Sequence, residues 1–332
     1  MTPPVPYNLD VVATRGDLVE SRHSVSAAVV DSSGRLVGYA GDPSLVTCWR
    51  SCAKPFQVMP FLESGHFDRL GWTENHLALA CASHGGEPEH VSLAESMLRS
   101  VELEEGDLAC GAHEPLSRRG SRLLQQSGDR PTRLHNNCSG KHAAMLAFAC
   151  TAGYPVLGYQ NFGHSVQHAI VNVLVQWTGV AEEDIEQVVD GCGVVAFGLP
   201  LQAMALAFAR LGAGAQDSNE IPARIVTAMR AQPFLVGGTD RFDTVLMEET
   251  GGSVVAKVGA EGVHTVAVPD ARLGFAVKAE DGAARAQYVA VLRMLQHLGV
   301  LQPSLPPRLA AFLRIPIQNT RGEIVGEVRP AA

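Results

Sequence analysis

The order of the secondary-structure elements constrains this fold more than any other sequence feature. Residues 24–30 are mostly small or β-branched, residues 31–34 form an Asp-Ser-Ser-Gly turn signal, and residues 35–39 return as a second strand. Runs rich in β-branched residues return late, at 254–258, 263–268 and 274–277. We therefore expect the early hairpin to join the late strands in one antiparallel sheet beside a helical lobe, an α+β fold.

Helical patterns fill the middle of the chain and close it. The closing helix is expected to be capped by Asp281 and ended by Gly299, with a continuous apolar face between them. The sequence predicts helices at residues 51–62, 88–98, 142–150, 165–177, 201–211 and 283–298.

This arrangement is that of serine β-lactamases and penicillin-binding proteins, in which catalytic groups lie in the cleft between the sheet and the helices. We therefore predict a single β-lactamase-like catalytic unit over residues 1–332. Its sheet part is expected at about 10–48 and 250–300, and its helical part at about 51–248.

Charge and composition exclude several classes of function. The 332 residues carry a net charge of −8, which argues against nucleic acid and anionic membranes as partners. The most apolar stretch, 194–211, is interrupted by Gly198, Pro200 and Gln202, which favours a buried helix over a membrane span. The first residues lack a secretory signal and the cysteine number, seven, is odd. We therefore expect reduced thiols in a cytoplasmic protein.

Lysine is rare in this chain, and three of its four lysines lie in motifs that resemble catalytic sites. They are Lys54, Lys141 and Lys257, with Lys278 as the fourth. Arginine would serve equally well for a surface ion pair, but only lysine can lose its proton near neutral pH. Genomic base composition explains the scarcity of lysine but not the positions of those that remain.

A Ser-x-x-Lys motif and two companions suggest nucleophilic catalysis. Ser51 and Lys54 would share a helix face, so a neutral Lys54 amine could accept the proton of an attacking Ser51 hydroxyl. Ser83, before a Gly pair, and Lys257, at the end of a predicted strand, would form a second Ser-Lys pair. The alternative interpretations are a turn hydroxyl for Ser83 and a strand-edge amine for Lys257.

Two cysteines in separate loops could hold a metal ion. Cys138 precedes a predicted helix and Cys192 lies between two glycines, so two thiolates could bind a soft divalent ion, most plausibly zinc. His135, His142 or the less usual Lys141 could supply a third ligand. The alternative is a pair of small buried hydrophobic residues.

These segments together resemble the Rhizobium etli-type L-asparaginases, the asparaginase II family. The matching motifs are spread over most of the chain, roughly 22–280, and appear in order. They are Arg22-His23-Ser24, Trp49 to Pro55, Cys81-Ala82-Ser83-His84, His135 to His142, Asp190-Gly191-Cys192-Gly193 and Lys257 to Gly262.

The resemblance implies a β-lactamase-like fold, a homodimer, and hydrolysis of L-asparagine to L-aspartate and ammonia. It implies that two Ser-Lys pairs carry the chemistry and that zinc is held at one site. By this resemblance the catalytic pairs are Ser51 with Lys54 and Ser83 with Lys257, and the zinc ligands are Cys138, Lys141 and Cys192.

The expected reaction is attack of Ser51 on the asparagine carboxamide, with Ser83 as the rival nucleophile. Arg50 and Asp190 are candidates for binding the substrate carboxylate and amine, with a structural ion pair as the alternative. Two other functions remain open: another Ser-Lys hydrolase, acting on glutamine or a β-lactam, and a non-catalytic zinc or thiol sensor.

Overall fold

The structure is a computed structural model that describes residues 3–331, and its elements are numbered along the chain. The strands are β1 Val5–Pro6, β2 Val11–Arg15, β3 Leu18–His23, β4 Val25–Asp31, β5 Leu36–Ala40, β6 Val46–Cys48, β7 Glu186–Val189, β8 Val195–Pro200, β9 Val255–Val258, β10 Val263–Val268, β11 Leu273–Ala279, β12 Ile315–Gln318 and β13 Ile324–Pro330. The helices are α1 Lys54–Gln57, α2 Met59–Glu63, α3 His66–Arg69, α4 Glu74–Ala80, α5 Pro88–Arg99, α6 Arg118–Ser127, α7 Ser139–Ala152, α8 Ser165–Thr178, α9 Leu201–Gln216, α10 Glu220–Ala231, α11 Pro233–Val236, α12 Phe242–Glu249, α13 Ala284–His297 and α14 Pro307–Leu313.

These elements group into two compact units. The first contains Met1–Cys52, Leu199–Ala213 and Val245–Ala332, and the second contains Ala53–Gly198 and Gly214–Thr244. The first unit therefore includes both ranges predicted for the sheet part and adds most of helix α9.

A six-stranded sheet is the main element of the first unit, in the order β1-β5-β4-β11-β10-β9. Strand β1 is parallel to β5, and the other neighbours are antiparallel. Ala28 of β4 lies opposite Ala276 of β11, so the early hairpin joins the late strands as predicted. The predicted α+β class with an antiparallel sheet is confirmed.

Both faces of this sheet are covered by helices. Strands β4, β10 and β11 are buried along almost their whole length, as expected for apolar strands with no solvent-facing side. The backbone of α9 approaches Gly274 so closely that a Cβ there would overlap Ala205 and Ala209. On the opposite face, the ring of His264 lies 6.3 Å from that of Tyr288 in α13.

A second sheet in the first unit, in the order β12-β13-β2-β3, was not predicted. Its central pairing joins Val328 of β13 to Ala13 of β2, more than 300 residues apart in the chain. No local turn signal announces such a pairing, so sequence periodicity alone does not reveal it.

The second unit is largely helical, as predicted for the middle of the chain. Helix α7 is buried from Ser139 to Ala149 and forms the centre of the unit. An aromatic cluster packs beside it, with the ring of Phe61 5.5 Å from that of Trp72 and 5.6 Å from that of Phe148. Strands β7 and β8 pair as an antiparallel hairpin.

The predicted cap of the closing helix was wrong by two residues. The N-cap position of α13 is Ala283, and the Asp281 carboxylate accepts a hydrogen bond from the Ala283 N–H at 3.0 Å. The turn at Gly282, where φ is +81°, separates Asp281 from the first helical turn. Gly299 ends the helix with φ of +72°, as predicted. Within residues 3–331, none of the helices combines the length and apolar character needed to cross a bilayer.

Candidate active site

The segment before Lys54 is a tight and strained turn. A 3-10 helix covers Arg50–Ala53 and runs directly into α1, where Pro55 occupies an early helical position that suits its fixed φ. Arg50 has φ of +51°, a left-handed conformation that is costly for a residue with a side chain. Ser51, the predicted nucleophile, follows this strained residue and is half-buried.

The Lys54 amine is buried and surrounded by oxygen atoms of the second unit. Lys54 is 1% exposed. Its Nζ donates to the Ser83 hydroxyl at 3.1 Å, to the Ala82 carbonyl, and to the Asn137 carbonyl at 3.4 Å. All three acceptors are neutral groups, and one of them is a serine hydroxyl. The buried Lys54 amine is therefore in direct hydrogen-bond contact with a serine side chain.

The loop that carries Ser83 is held by hydrogen bonds on both sides. The Ser83 N–H donates to the Val236 carbonyl at 3.0 Å, and the His84 N–H donates to the Asn137 carbonyl at 3.2 Å. Burial lowers the pKa of His84 well below its usual value, so the ring is neutral. Its Nδ1 accepts from the Gly86 N–H, which leaves Nε2 to donate to the Ser139 hydroxyl at 2.9 Å.

A buried carboxylate, Glu87, connects this loop to a second one. Its Oε1 accepts from the Thr239 N–H at 2.7 Å, and its Oε2 accepts from the Thr239 hydroxyl at 2.7 Å and from Arg119 at 2.6 Å. Burial alone would raise the pKa of Glu87, but the hydrogen bonds from Arg119 and Thr239 hold it below its usual value. We call Glu87, Arg119 and Thr239 the Glu87 clamp.

Lys257 is completely buried in the first unit, on strand β9. Its Nζ donates to the Val258 carbonyl at 2.8 Å, and its own carbonyl accepts from the Cys52 thiol at 2.9 Å. The Cys52 contact holds the residue next to Ser51 against the end of β9. Gly259 permits this approach, because a Cβ there would come within 3.1 Å of the Cys52 sulfur.

The other predicted site residues lie as follows. Arg50 is half-buried at the start of the 3-10 helix. Asp190 is in the turn between β7 and β8, where its carboxylate accepts from the Gly191 N–H at 2.6 Å. Of the four predicted catalytic residues, the structure brings Lys54 and Ser83 into contact. The pairs of Ser51 with Lys54 and Ser83 with Lys257 stay predictions.

The predicted metal ligands lie together in the second unit. Lys141, 4% exposed, donates from Nζ to the Cys192 sulfur at 3.0 Å. The Cys138 thiol donates a hydrogen bond to Cys192, and this bond together with the Lys141 charge lowers the pKa of Cys192 to about 4. The same hydrogen bond and burial raise the pKa of Cys138 to about 12. Cys192 is therefore a thiolate facing a lysine ammonium.

The donor set fits zinc in its chemistry. Two sulfurs and the Lys141 nitrogen converge, and sulfur and nitrogen are the ligands that zinc prefers. Lys141 would have to release its ammonium proton to become a ligand, since metal binding requires deprotonated donors. Among residues 3–331, no group of three or more His, Cys, Asp and Glu side chains is arranged to hold a metal ion, so the set reaches three donors only with Lys141. Of the two histidines considered earlier, His135 accepts from the Thr132 N–H at 3.0 Å. His142 hydrogen-bonds the Tyr159 hydroxyl through Nδ1 at 2.6 Å, and its buried Nε2 has no hydrogen-bond partner within residues 3–331.

The family profile of the L-asparaginases II matches residues 11–330, nearly the whole chain. The chain belongs to the L-asparaginase II family. The family predicted from the ordered motifs is confirmed. No curated protein matches the chain in a sequence comparison.

Solved structures similar to this member of the L-asparaginase II family share few of its residues. The native form of Mglu is 15% identical, with a TM-score of 0.46, and the match covers 84% of this chain and 65% of that one. The L-glutamate binding form of Mglu in 4.3 M NaCl is 18% identical, with a TM-score of 0.37, and covers 89% of this chain and 65% of that one. A β-lactamase from Mycobacterium bovis is 15% identical, with a TM-score of 0.44 and coverage of 84% and 96%. The match thus covers less than two thirds of the length of native Mglu.

Three residues of the site region were not identified from sequence. Lys278 donates to the carbonyls of Glu261 at 2.7 Å, Ala279 at 2.6 Å and Glu280 at 3.3 Å, and so anchors the turn that follows β9. The scarcity of lysine would have been a sufficient signal for it. Glu87 and Thr239 gave no such signal, because their pairing depends on two loops 152 residues apart in sequence.

Proposed function

We propose that this member of the L-asparaginase II family is an amidohydrolase that converts L-asparagine to L-aspartate and ammonia by Ser-Lys nucleophilic catalysis, with Lys54 as the general base. The supporting observation is the buried Lys54 amine, 3.1 Å from the Ser83 hydroxyl and surrounded by neutral acceptors. A serine hydroxyl is a weak nucleophile until a neighbouring base takes its proton, and a neutral lysine can do so in a buried site.

The proposed nucleophile is Ser51, which lies three residues before Lys54. It is half-buried, whereas Ser83 is 3% exposed, and an attacking oxygen must reach the substrate. The Ser51 oxygen bonds to the carboxamide carbon, and its proton passes to Lys54. Backbone N–H groups would stabilise the resulting oxyanion, and one such donor is typically worth about 2.7–4 kcal/mol.

Ser83 is well placed to return that proton. Because Lys54 donates directly to the Ser83 hydroxyl, the proton taken from Ser51 can move to Ser83 and on to the departing amide nitrogen. The carbon–nitrogen bond then breaks, ammonia leaves, and an ester to Ser51 remains. Water, activated by Lys54, cleaves this ester and releases L-aspartate. Lys257 is the second amine of the proposed machinery.

A second assignment exchanges the roles of the two serines. The 3.1 Å contact between Lys54 and Ser83 favours it directly, because this is the serine on which the structure places the amine. Ser83 would then form the ester, and Ser51 would bind or relay a proton. Trapping the acyl-enzyme with a slow amide or ester substrate and locating the modified serine separates the two assignments.

Substrate binding and the metal site complete the proposal. Arg50 would bind the α-carboxylate of L-asparagine and Asp190 its α-ammonium group, by charge complementarity. Cys138, Lys141 and Cys192 would hold zinc. When bound, zinc would supply positive charge that orients the substrate, while the serines supply the nucleophile.

The cytoplasm is the proposed location and a homodimer the proposed assembly. All seven cysteines are free thiols in the structure, which suits a reducing compartment. Cell fractionation and light scattering of the purified protein test these two points.

Ammonia release by the wild type and matched variants tests the catalytic proposal. Lys54→Arg keeps the charge but cannot act as a base, so kcat is expected to fall about 10²–10⁴-fold. Ser51→Ala and Ser83→Ala are also expected to lose activity, whereas Ser64→Ala, at the end of α2, should retain it. Full activity of Lys54→Arg would refute the mechanism.

The substrate is tested by comparing L-asparagine, L-glutamine and a chromogenic β-lactam. We expect the highest kcat/KM for L-asparagine; a higher value for either other compound would replace the proposed substrate. If no amide is hydrolysed while Cys138→Ala abolishes zinc binding, the protein is a zinc-binding or thiol sensor instead.

A further inference from the structure

Strand β10 contains a buried hydroxyl that has no hydrogen-bond partner. Thr265 is fully buried, and its Oγ1 makes no hydrogen bond within residues 3–331. Burying a hydroxyl without a hydrogen-bond partner costs the full free energy of removing that hydroxyl from water. Valine would fill the same volume without this cost. The strand itself gives no packing reason for a hydroxyl at this position, since the residues on either side of Thr265 on the same face, Val263 and Ala267, are apolar.

The sheet register places Thr265 beside Lys257. The two residues are direct partners in the antiparallel pairing of β10 with β9. Partners in such a pairing point to the same face, with their Cβ atoms about 4.5–5.5 Å apart. On the other side, Thr265 pairs with Ala276, which has no polar side-chain atom.

The nearest alternative partner has its donors engaged. Lys278 is diagonal to Thr265 across β11, because it pairs with Val263. Its amine already donates to three carbonyl oxygens, which matches its three N–H groups. Lys257 is therefore the cross-strand neighbour whose side chain can meet the Thr265 hydroxyl.

A hydroxyl suits a lysine that changes protonation state. The Val258 carbonyl, which now accepts from the Lys257 amine, can only accept a hydrogen bond. A hydroxyl can accept from an ammonium group and donate to the lone pair of a neutral amine. It can therefore hold the amine in one position through both halves of a proton-transfer cycle, as a carbonyl cannot.

We propose that Thr265 is a positioning residue for Lys257: its hydroxyl binds the amine when Lys257 turns from the Val258 carbonyl toward the reacting groups. This proposal rests on the catalytic role proposed for Lys257. It does not depend on which serine is the nucleophile.

The test compares Thr265→Val, which keeps the shape but removes the hydroxyl, with Thr265→Ser, which keeps the hydroxyl. Thr14→Val is the matched control, because Thr14 is also a buried strand threonine of the first unit, bonded to the backbone of Glu327. In Thr265→Val, kcat is expected to fall about tenfold or more, because part of the rate enhancement from general-base catalysis is lost. The KM of this variant is expected to stay within about twofold of wild type. Thr265→Ser is expected to keep wild-type kcat, and so is Thr14→Val.

A spectroscopic measurement makes the test independent of turnover. Protein labelled with ¹³C-lysine contains four labelled residues, and Lys257→Met assigns the ε-carbon signal of Lys257 by its loss. When the signal is followed from neutral to alkaline pH, so that both protonation states of the amine are sampled, Thr265→Val is expected to move it relative to wild type. Thr265→Ser is expected to leave it near the wild-type position, and both variants to leave the other three signals unchanged. The denaturant midpoint of Thr265→Val is expected to equal or exceed that of wild type, because no native hydrogen bond is lost.

The outcomes distinguish this proposal from the proposed function. If the wild type hydrolyses no amide but the Lys257 signal moves in Thr265→Val alone, the positioning role stands and the proposed function fails. An unmoved Lys257 signal in Thr265→Val overturns the positioning role, whatever the activity. If the enzyme is active, the positioning role is also overturned when Thr265→Val keeps the wild-type kcat, or when Thr265→Ser loses as much kcat as Thr265→Val.

Discussion

Replacing Glu87 by glutamine should destabilise the protein more than any other single-atom exchange near the site. The carboxylate is fully buried and accepts three hydrogen bonds, one from Arg119 and two from Thr239. Glutamine has the same shape, but its amide nitrogen must face one of these donors. At least one hydrogen bond to the carboxylate, worth about 1.5–3 kcal/mol, is then lost, and the bond that remains from Arg119 no longer joins two charges, so the free energy of unfolding should fall by about 3 kcal/mol.

The pH dependence of this effect has a definite sign. The pKa of Glu87 is lowered in the folded state, so its contribution to stability is fully present above the carboxyl pKa of the unfolded chain. That contribution is lost as the pH falls through the lowered folded-state pKa. The difference in stability between wild type and Glu87→Gln should therefore be constant from about pH 6 to 8 and shrink below about pH 4.

Urea unfolding of the two proteins across this pH range measures the effect, and Glu89→Gln is the matched control. Glu89 pairs with the same Arg119 at 2.7 Å, but its side chain is 46% exposed. Such a partly exposed ion pair should contribute less than about 1 kcal/mol. The reasoning fails if Glu87→Gln is as stable as Glu89→Gln at pH 7, or if the deficit of Glu87→Gln persists unchanged at low pH.

Three further predictions follow from single contacts. Gly274→Ala should lower the free energy of unfolding in urea by at least about 1–3 kcal/mol, because the new Cβ would overlap the backbone of α9. Gly111→Ala, with open space around its Cβ position, should leave the free energy of unfolding nearly unchanged. Lys278→Met should lower the urea midpoint by removing three hydrogen bonds, about 1 kcal/mol or more each, and an unchanged midpoint would show that water replaces them. Cys192→Ser should lower the zinc content of protein purified with added zinc, with Cys150→Ser as the control; equal zinc content in both would exclude the proposed ligand set.

The family and the main sheet could be predicted from sequence because their signals are local. The strand pattern of the early hairpin and of the late strands is visible within windows of a few residues, and β4, β5, β9, β10 and β11 lie close to the predicted ranges. The sheet of β2, β3, β12 and β13 contains two local hairpins, β2 with β3 and β12 with β13, which the strand patterns identified from sequence did not include. Its central pairing, β13 with β2, joins the two ends of the chain. A strand pairing over that distance leaves no spacing in the sequence that can be counted.

The lysines show where prediction of the site succeeded and where it stopped. All four are buried, from fully buried Lys257 to 8% exposed Lys278, so their rarity did mark interior amines rather than surface charge. Their partners were not predictable in the same way. The Lys54 amine meets Ser83, 29 residues later, and Lys278 meets carbonyls that no side-chain pattern announces.

The sequence by itself determined which chemical groups this protein has and which family it belongs to, because scarce residue types in ordered motifs are properties of the chain. Tertiary structure alone decided which groups meet. The placement of Thr265 beside Lys257 depends on the register of β9 against β10, and a shift of one residue would turn Thr265 to the opposite face. The contacts of Glu87 with Thr239 and of Lys141 with Cys192 likewise depend on packing between segments distant in the chain.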